Sequence, residues 1–134
     1  MNSRRLLRLS LLWASLVFVP ACSTPPPTTA AGFKASAQKN YDQGKFDDSI
    51  ADSTKAIALA PTDPEAYYFR GCAEEAMNDF DNAIADYSKV IELAPNNAAA
   101  YHDRGFARES KGDLNGAAAD LNQAEELRSQ QPSR

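Results

Sequence analysis

Few side chains in this chain are arranged for covalent chemistry. His102 is its single histidine, and it has no clustered cysteine or aspartate partners at metal-ligand spacing. The paired acids Glu74-Glu75 and Glu125-Glu126 are adjacent in sequence. Consecutive residues on a helix point in different directions, so neither pair can share a proton or a substrate. There is no glycine-rich phosphate loop and no nucleophile elbow. The residue types therefore point to binding: no enzyme, no cofactor and no metal site is expected. What does recur is charge, as Asp52, Asp86 and Asp120 and as Arg70 and Arg104.

That recurrence has a fixed period of 34 residues. Pro61 returns as Pro95, Ala66-Tyr67 as Ala100-Tyr101, and Arg70-Gly71 as Arg104-Gly105. Phe46-Asp47 returns as Phe80-Asp81, and Ile50-Ala51-Asp52 as Ile84-Ala85-Asp86. Such a period marks a solenoid, one supersecondary unit stacked on copies of itself.

Each unit reads as two helices joined by a short polar turn, at Gln43-Gly44-Lys45, Asn78-Asp79 and Lys111-Gly112-Asp113. Gly44 and Gly112 suit the left-handed residue that ends a helix. Asp47, Asp48 and Asp81 fall in the first turn of the next helix, where an acid complements the helix dipole. Apolar stripes at helical spacing run through Ile50, Ala56, Ile57 and Leu59, and through Ile84, Val90, Ile91 and Leu93. Ala37, Gly71 and Gly105 share one small-residue column, which lets the two helices of a unit approach closely. Pro61 and Pro95 stop the second helix.

The third unit carries Ala118 and Glu125 where the first two have isoleucines that face a following unit. A solenoid needs a polar terminal surface, so the array is expected to end at three units. The recurring acids and arginines read as structural ion pairs that fix helix register. Two pairings fit: Asp86 with Arg70 inside one unit, or Asp52 with Arg70 and Asp86 with Arg104 across units.

The units resemble tetratricopeptide repeats. Tyr67, Gly71, Ala83, Tyr87 and Pro95 carry the signature in the second unit, and Tyr101, Gly105, Ala117 and Leu121 in the third. The first is degenerate, with Phe33, Ala37, Ser49 and Ser53 in those columns and Pro61 closing it. The resemblance implies an all-α fold, a right-handed superhelical solenoid of three helix-turn-helix units at 32–63, 64–97 and 98–128, followed by a polar tail at 129–134. It also implies a peptide or protein partner in a concave groove lined by the first helix of each unit. Mapped column by column, that groove would present Lys34, Gln38 and Tyr41, then Tyr68, Cys72 and Glu75, then His102, Phe106 and Glu109, with Tyr67 and Tyr101 in the buried column. The family's carboxylate clamp for chaperone termini would fall on Lys34, Gln38, Phe69, Ala99 and Asp103. It lacks its basic half here, so a partner offering apolar, aromatic or basic groups is expected.

The first residues concern address. Arg4, Arg5 and Arg8 precede an apolar run from Leu9 to Val19, which is too short to span a bilayer but has the length of a signal-peptide core. Val19-Pro20-Ala21-Cys22 resembles the lipobox of bacterial lipoproteins. That resemblance implies removal of residues 1–21 and lipid on Cys22; two or three acyl chains hold a small domain on a membrane. Residues 22–31 would then be the lipidated cysteine and a tether. Three prolines favour an extended chain there, and nine residues span roughly 28 Å. With Cys22 lipidated, Cys72 has no partner in the chain, and burial as a small apolar residue is expected.

Ser3-Arg4-Arg5-Leu6-Leu7 also resembles part of a twin-arginine export signal. The expected address is the periplasmic face of the outer membrane, or the extracytoplasmic face of the plasma membrane in a Gram-positive cell.

The chain has 14 basic and 18 acidic residues, a net charge of −4. Three of the arginines lie within residues 1–21, so the remainder is more acidic still, which argues against nucleic acid as a partner. Three roles fit: a lipid-anchored adaptor for an envelope protein or peptide, a homo-oligomer associating through the first unit, or capture of a small molecule or free peptide. In the second role the degenerate first unit, in which Ser36, Lys39, Ser49 and Ser53 replace the expected core residues, would associate.

Overall fold

A computed structural model describes residues 27–130. The expected signal peptide and lipidation site at Cys22, and the last four residues, lie outside that range. The described residues form six helices: α1 (Ala30–Asp42), α2 (Phe46–Leu59), α3 (Pro64–Ala76), α4 (Phe80–Leu93), α5 (Ala98–Ser110) and α6 (Leu114–Ser129). Each helix packs on the next, and the pairs α1–α2, α3–α4 and α5–α6 are the three hairpins. No strand occurs among the described residues.

Local sequence explains the boundaries. Asp63 accepts from the Glu65 amide at 3.1 Å with Pro64 in the first helical turn, and Asn97 caps α5 through the Ala100 amide at 3.1 Å. Asp79 and Asp113 cap α4 and α6 in the same way. Gly44 (φ 72°), Asn78 (φ 62°) and Gly112 (φ 85°) are the left-handed residues between the helices of each hairpin. The short polar side chain of asparagine tolerates that region better than most. Helices α2 and α4 stop at Leu59 and Leu93, two residues ahead of Pro61 and Pro95.

One expected boundary moves. The expected tether runs through residue 31, but Thr29 caps α1 by accepting from the Gly32 amide at 3.1 Å, so Ala30 and Ala31 are helical. A threonine followed by two alanines is a helix start, and the proline run ends before it.

The core is built from small residues. Ala37, Ala56, Ala66, Ala73, Ala83, Ala100, Ala107 and Ala124 are fully buried, and Tyr87 and Val90 are the large apolar side chains buried with them. Where α3 meets α4, a Cβ on Gly71 would lie 3.0 Å from Tyr87 Cε1, and one on Gly105 would lie 3.1 Å from Leu121 Cγ. The glycines therefore make room for the bulk on the facing helix. In the first hairpin the same columns hold Ala37 and Ser53, both fully buried. Leu121 itself is a third exposed because no further helix covers α6 among the described residues. The stripe residues Ile50, Ile57, Ile84 and Ile91 are half-buried, whereas Ala118 and Glu125 are exposed.

The recurring charges pair inside each hairpin. Arg70 grips Asp86 with two bonds, Nε to Oδ2 at 2.7 Å and Nη2 to Oδ1 at 2.8 Å. Arg104 grips Asp120 likewise, at 2.9 and 2.7 Å. The third guanidinium nitrogen reaches back to the preceding hairpin, where Nη1 of Arg70 donates to Thr54 (3.3 Å) and Nη1 of Arg104 to Ser88 (3.0 Å). Of the two pairings the sequence allows, the one inside a unit forms; across units the partner is a hydroxyl. Asp52 departs from the expectation, since no described arginine reaches it. Ser36 stands in the arginine column of the first hairpin, and Asp52 instead accepts from Ser36 Oγ (2.6 Å) and Asn40 Nδ2 (3.0 Å), with Lys55 at 3.3 Å.

The serines of the first hairpin are also not a free surface. Ser49 and Ser53 are fully buried, and Ser49 Oγ donates to the Ala37 carbonyl at 2.9 Å. Ser36 is half-buried on Asp52, and only Lys39 is exposed.

Candidate functional site: an aromatic, acidic groove

A groove of about 620 Å³ opens between the first helices of the three hairpins, within the size range of ligand sites. Gln38, Tyr41 and Asp42 enter it from α1; Tyr68, Phe69, Cys72 and Glu75 from α3; and Asp103, Phe106 and Ser110 from α5. Residues 68, 72 and 75, and 103, 106 and 110, follow helical spacing, so each helix offers one face. Phe80 and Tyr87 reach the same space from α4.

Two tyrosines set two carboxylates. Tyr68 OH donates to Asp103 Oδ2 at 2.6 Å, bridging the second and third hairpins, and Tyr87 OH donates to Glu75 Oε2 at 2.7 Å within the second. The rings of Tyr68 and Tyr87 lie 5.9 Å apart and tilted, a favourable aromatic arrangement. Burial, followed by the bond to Asp103, pushes the Tyr68 phenol up, and burial does the same to Tyr87, so both remain donors. Burial raises Glu75, the Tyr87 bond opposes it, and the charge of Asp103 raises it further.

Burial also pushes the Cys72 thiol up to about 11, with Tyr87 OH 3.6 Å from its sulfur. A thiol held protonated is a poor nucleophile, so Cys72 acts as a neutral part of the floor and is half-buried rather than enclosed. Tyr41 and Phe106 are the accessible aromatic edges, 36% and 50% exposed.

Six of the nine residues mapped to the groove line it: Gln38, Tyr41, Tyr68, Cys72, Glu75 and Phe106. Three do not. Lys34 is turned to the start of α3, where its ammonium lies 2.7 Å from Asp63 and 2.5 Å from Glu65. Those two bonds raise its pKa above the usual lysine value. His102 is exposed beside Asp103, Nδ1 to Oδ1 at 3.0 Å, and Glu109 is exposed.

Local partners decide the outcome: Tyr68 is drawn inward by its bond to Asp103, whereas Lys34 is drawn to the acids at the start of α3 and His102, in the same column, stands beside Asp103 on the exposed side. Column mapping did not place Tyr87 or Asp42 in the groove, while Phe69 and Asp103 line it at two of the positions mapped to the clamp. Tyr87 enters the sequence reading only as a signature residue, yet its hydroxyl, in a column otherwise filled by Ser53 and Leu121, is a legible signal of a polar contact.

Similarity to known proteins agrees with this geometry. The tetratricopeptide repeat profile matches residues 64–97. Among solved structures, the first such domain of Spaghetti (RPAP3) bound to the HSP90 peptide SRMEEVD is similar at 28% identity and TM-score 0.74, covering 78% of this chain and 82% of that one. The Arabidopsis OM64 domain is similar at 28% identity and TM-score 0.74, covering 78% and 86%. The TPR2B domain of yeast Sti1 in its pHsp70 complex follows at 26% identity and TM-score 0.71, covering 73% and 78%. No curated protein matches the chain in a sequence search. The described residues thus form an all-α solenoid similar to solved tetratricopeptide domains, with residues 64–97 matching the repeat itself.

Proposed function

We propose that this chain is a membrane-anchored adaptor that holds a segment of an envelope protein in the groove between α1, α3 and α5. The observation that carries the reading is the groove itself. It is large enough for several side chains of an extended peptide and walled by aromatic rings from all three hairpins. Two structurally similar domains were solved with chaperone peptides, which supports peptide binding by this fold. The acidic HSP90 peptide is a poor guest here, because no described lysine or arginine lines the groove and Lys34 is held by Asp63 and Glu65.

The anchor rests on the sequence: three arginines, an apolar run and a lipobox-like stretch ending at Cys22. It would set the solenoid on the extracytoplasmic side of a membrane. Replacing Cys22 by alanine should abolish incorporation of labelled palmitate and release the protein from the membrane fraction. Retention of both would remove the anchor from this reading.

Capture from solubilised envelope tests the groove, with the full chain and its Tyr68→Ala/Phe106→Ala variant as baits. A protein retained by the first and lost by the second is expected. Capture of the same protein by both would move the binding surface elsewhere. Recovery of the bait alone would favour self-association instead.

A further inference from the structure

The groove has a sign. Asp42, Glu75 and Asp103 line it, and no lysine or arginine among the described residues does. The arginines nearest this face, Arg70, Arg104 and Arg108, are already engaged. Arg70 holds Asp86, and Arg104 holds Asp120, to which Arg108 adds a third contact at 2.8 Å. The groove carboxylates Glu75 and Asp103 are thus paired with no lysine or arginine among the described residues; their partners are tyrosine hydroxyls and, for Asp103, His102. They also feel one another, since Asp103 raises the pKa of Glu75 and both raise that of Tyr41. Alongside stand the exposed rings of Tyr41 and Phe106. An aromatic face attracts a cation through its quadrupole, and its breadth covers the alkyl stem of a long basic side chain.

We infer that the groove takes a cationic peptide, one that sets a lysine or arginine side chain against Glu75 and Asp103 with its stem along Phe106 and Tyr41. This deepens the adaptor reading and rests on it. The guest supplies the charge the fold withholds. Glu75 has one oxygen bonded to Tyr87, and Asp103 has its two oxygens facing Tyr68 and His102. Both remain acceptors for a further N–H, because a carboxylate oxygen has more than one lone-pair site. A charge-assisted bond in this partly buried setting is stronger than a neutral one.

The test titrates the full chain with three capped heptapeptides on an alanine background, carrying two arginines, two citrullines or two glutamates. Binding is expected for the arginine peptide, about tenfold weaker for its citrulline isostere, weaker again for glutamate, and falling with added salt. Glu75→Gln and Asp103→Asn keep an acceptor oxygen for each tyrosine and should each lower arginine-peptide affinity by about tenfold. Equal binding of arginine and citrulline peptides, or preference for glutamate, would overturn the inference on the unmodified chain alone. If an envelope protein is captured through Tyr68 and Phe106 but its capture is unaffected by Glu75→Gln/Asp103→Asn, the adaptor reading stands and the cationic guest is wrong.

Discussion

The first and second hairpins share a fold and divide at three columns. Where the second has Arg70, Gly71 and Tyr87, the first has Ser36, Ala37 and Ser53. In the second, a half-buried arginine on a buried aspartate sits beside a glycine that admits a tyrosine, whose hydroxyl reaches out to position Glu75. The first solves the same packing with small side chains, and Ser36 and Asn40 satisfy Asp52 without a full counter-charge. The groove carboxylate set from within a hairpin belongs to the second alone. The glycine–tyrosine pairing is therefore as much a device for the groove as for the core.

The sharpest way to break this comparison is to remove the same aspartate from each hairpin. Asp86→Ala leaves the half-buried Arg70 without its bidentate partner and should cost about 3 kcal/mol. Asp52→Ala exposes no orphaned arginine and should cost about 1 kcal/mol, both read by urea unfolding. Equal losses would show that the two sites are energetically alike.

Next in size is Gly71→Ala. The added carbon would meet the Tyr87 ring at 3.0 Å and Asp86 Cβ at 3.3 Å, and overpacking of this kind costs about 1–3 kcal/mol. Combining it with Tyr87→Ser, which copies the first hairpin, should restore part of that loss. Strict additivity in the double-mutant cycle would deny the coupling.

A third contrast concerns one further column. Asn40, Glu74 and Arg108 are equivalent positions, each facing the aspartate of its own hairpin. Two of them can donate to it in any ordinary state; Glu74 can do so only when protonated. Glu74 is buried, one of its oxygens has no partner, and burial followed by the charge of Asp86 pushes its carboxyl up to about 7 against the pull of Arg70. The folded pKa lies above the unfolded value. Its favourable contribution is therefore complete below about pH 4 and is lost as pH rises through 7. Glu74→Gln should raise stability at pH 8 by about 1–2 kcal/mol and have little effect at pH 5. A gain independent of pH would refute the protonated-donor account.

The smallest effect is at the surface. Lys111 reaches Asp81 across hairpins at 2.6 Å, both exposed, and Lys111→Ala should change stability by less than about 1 kcal/mol.

Much of this was legible in the sequence because repetition multiplies each signal. The period, the left-handed glycines, the proline stops and the small-residue column each occur more than once, and local sterics dictate them all. The central groove residues Tyr68, Cys72 and Glu75 were legible for the same reason. Lys34, His102 and Glu109 depart from the expectation because a repeat column assumes equivalent neighbours: Lys34 meets Asp63 and Glu65 instead of a groove partner, and His102 and Glu109 are exposed. The choice between the two arginine pairings was beyond sequence for another reason. Both partners lie at repeat-related positions, and only the packed distance between helices shows that the guanidinium fork fits the aspartate 16 residues ahead and the hydroxyl 16 residues behind.

That double reach governs how the solenoid comes apart. A guanidinium bonded to its own hairpin and to the one before it cannot be released by melting either hairpin alone without leaving its remaining contacts strained or solvated. The second and third hairpins are each stapled backwards in this way, whereas the first contributes only an acceptor. Opening should accordingly begin at the outer helices, with α3 and α4 exchanging their amide protons last and at nearly one rate. A guest in the groove would then be held by the slowest-opening part of the molecule.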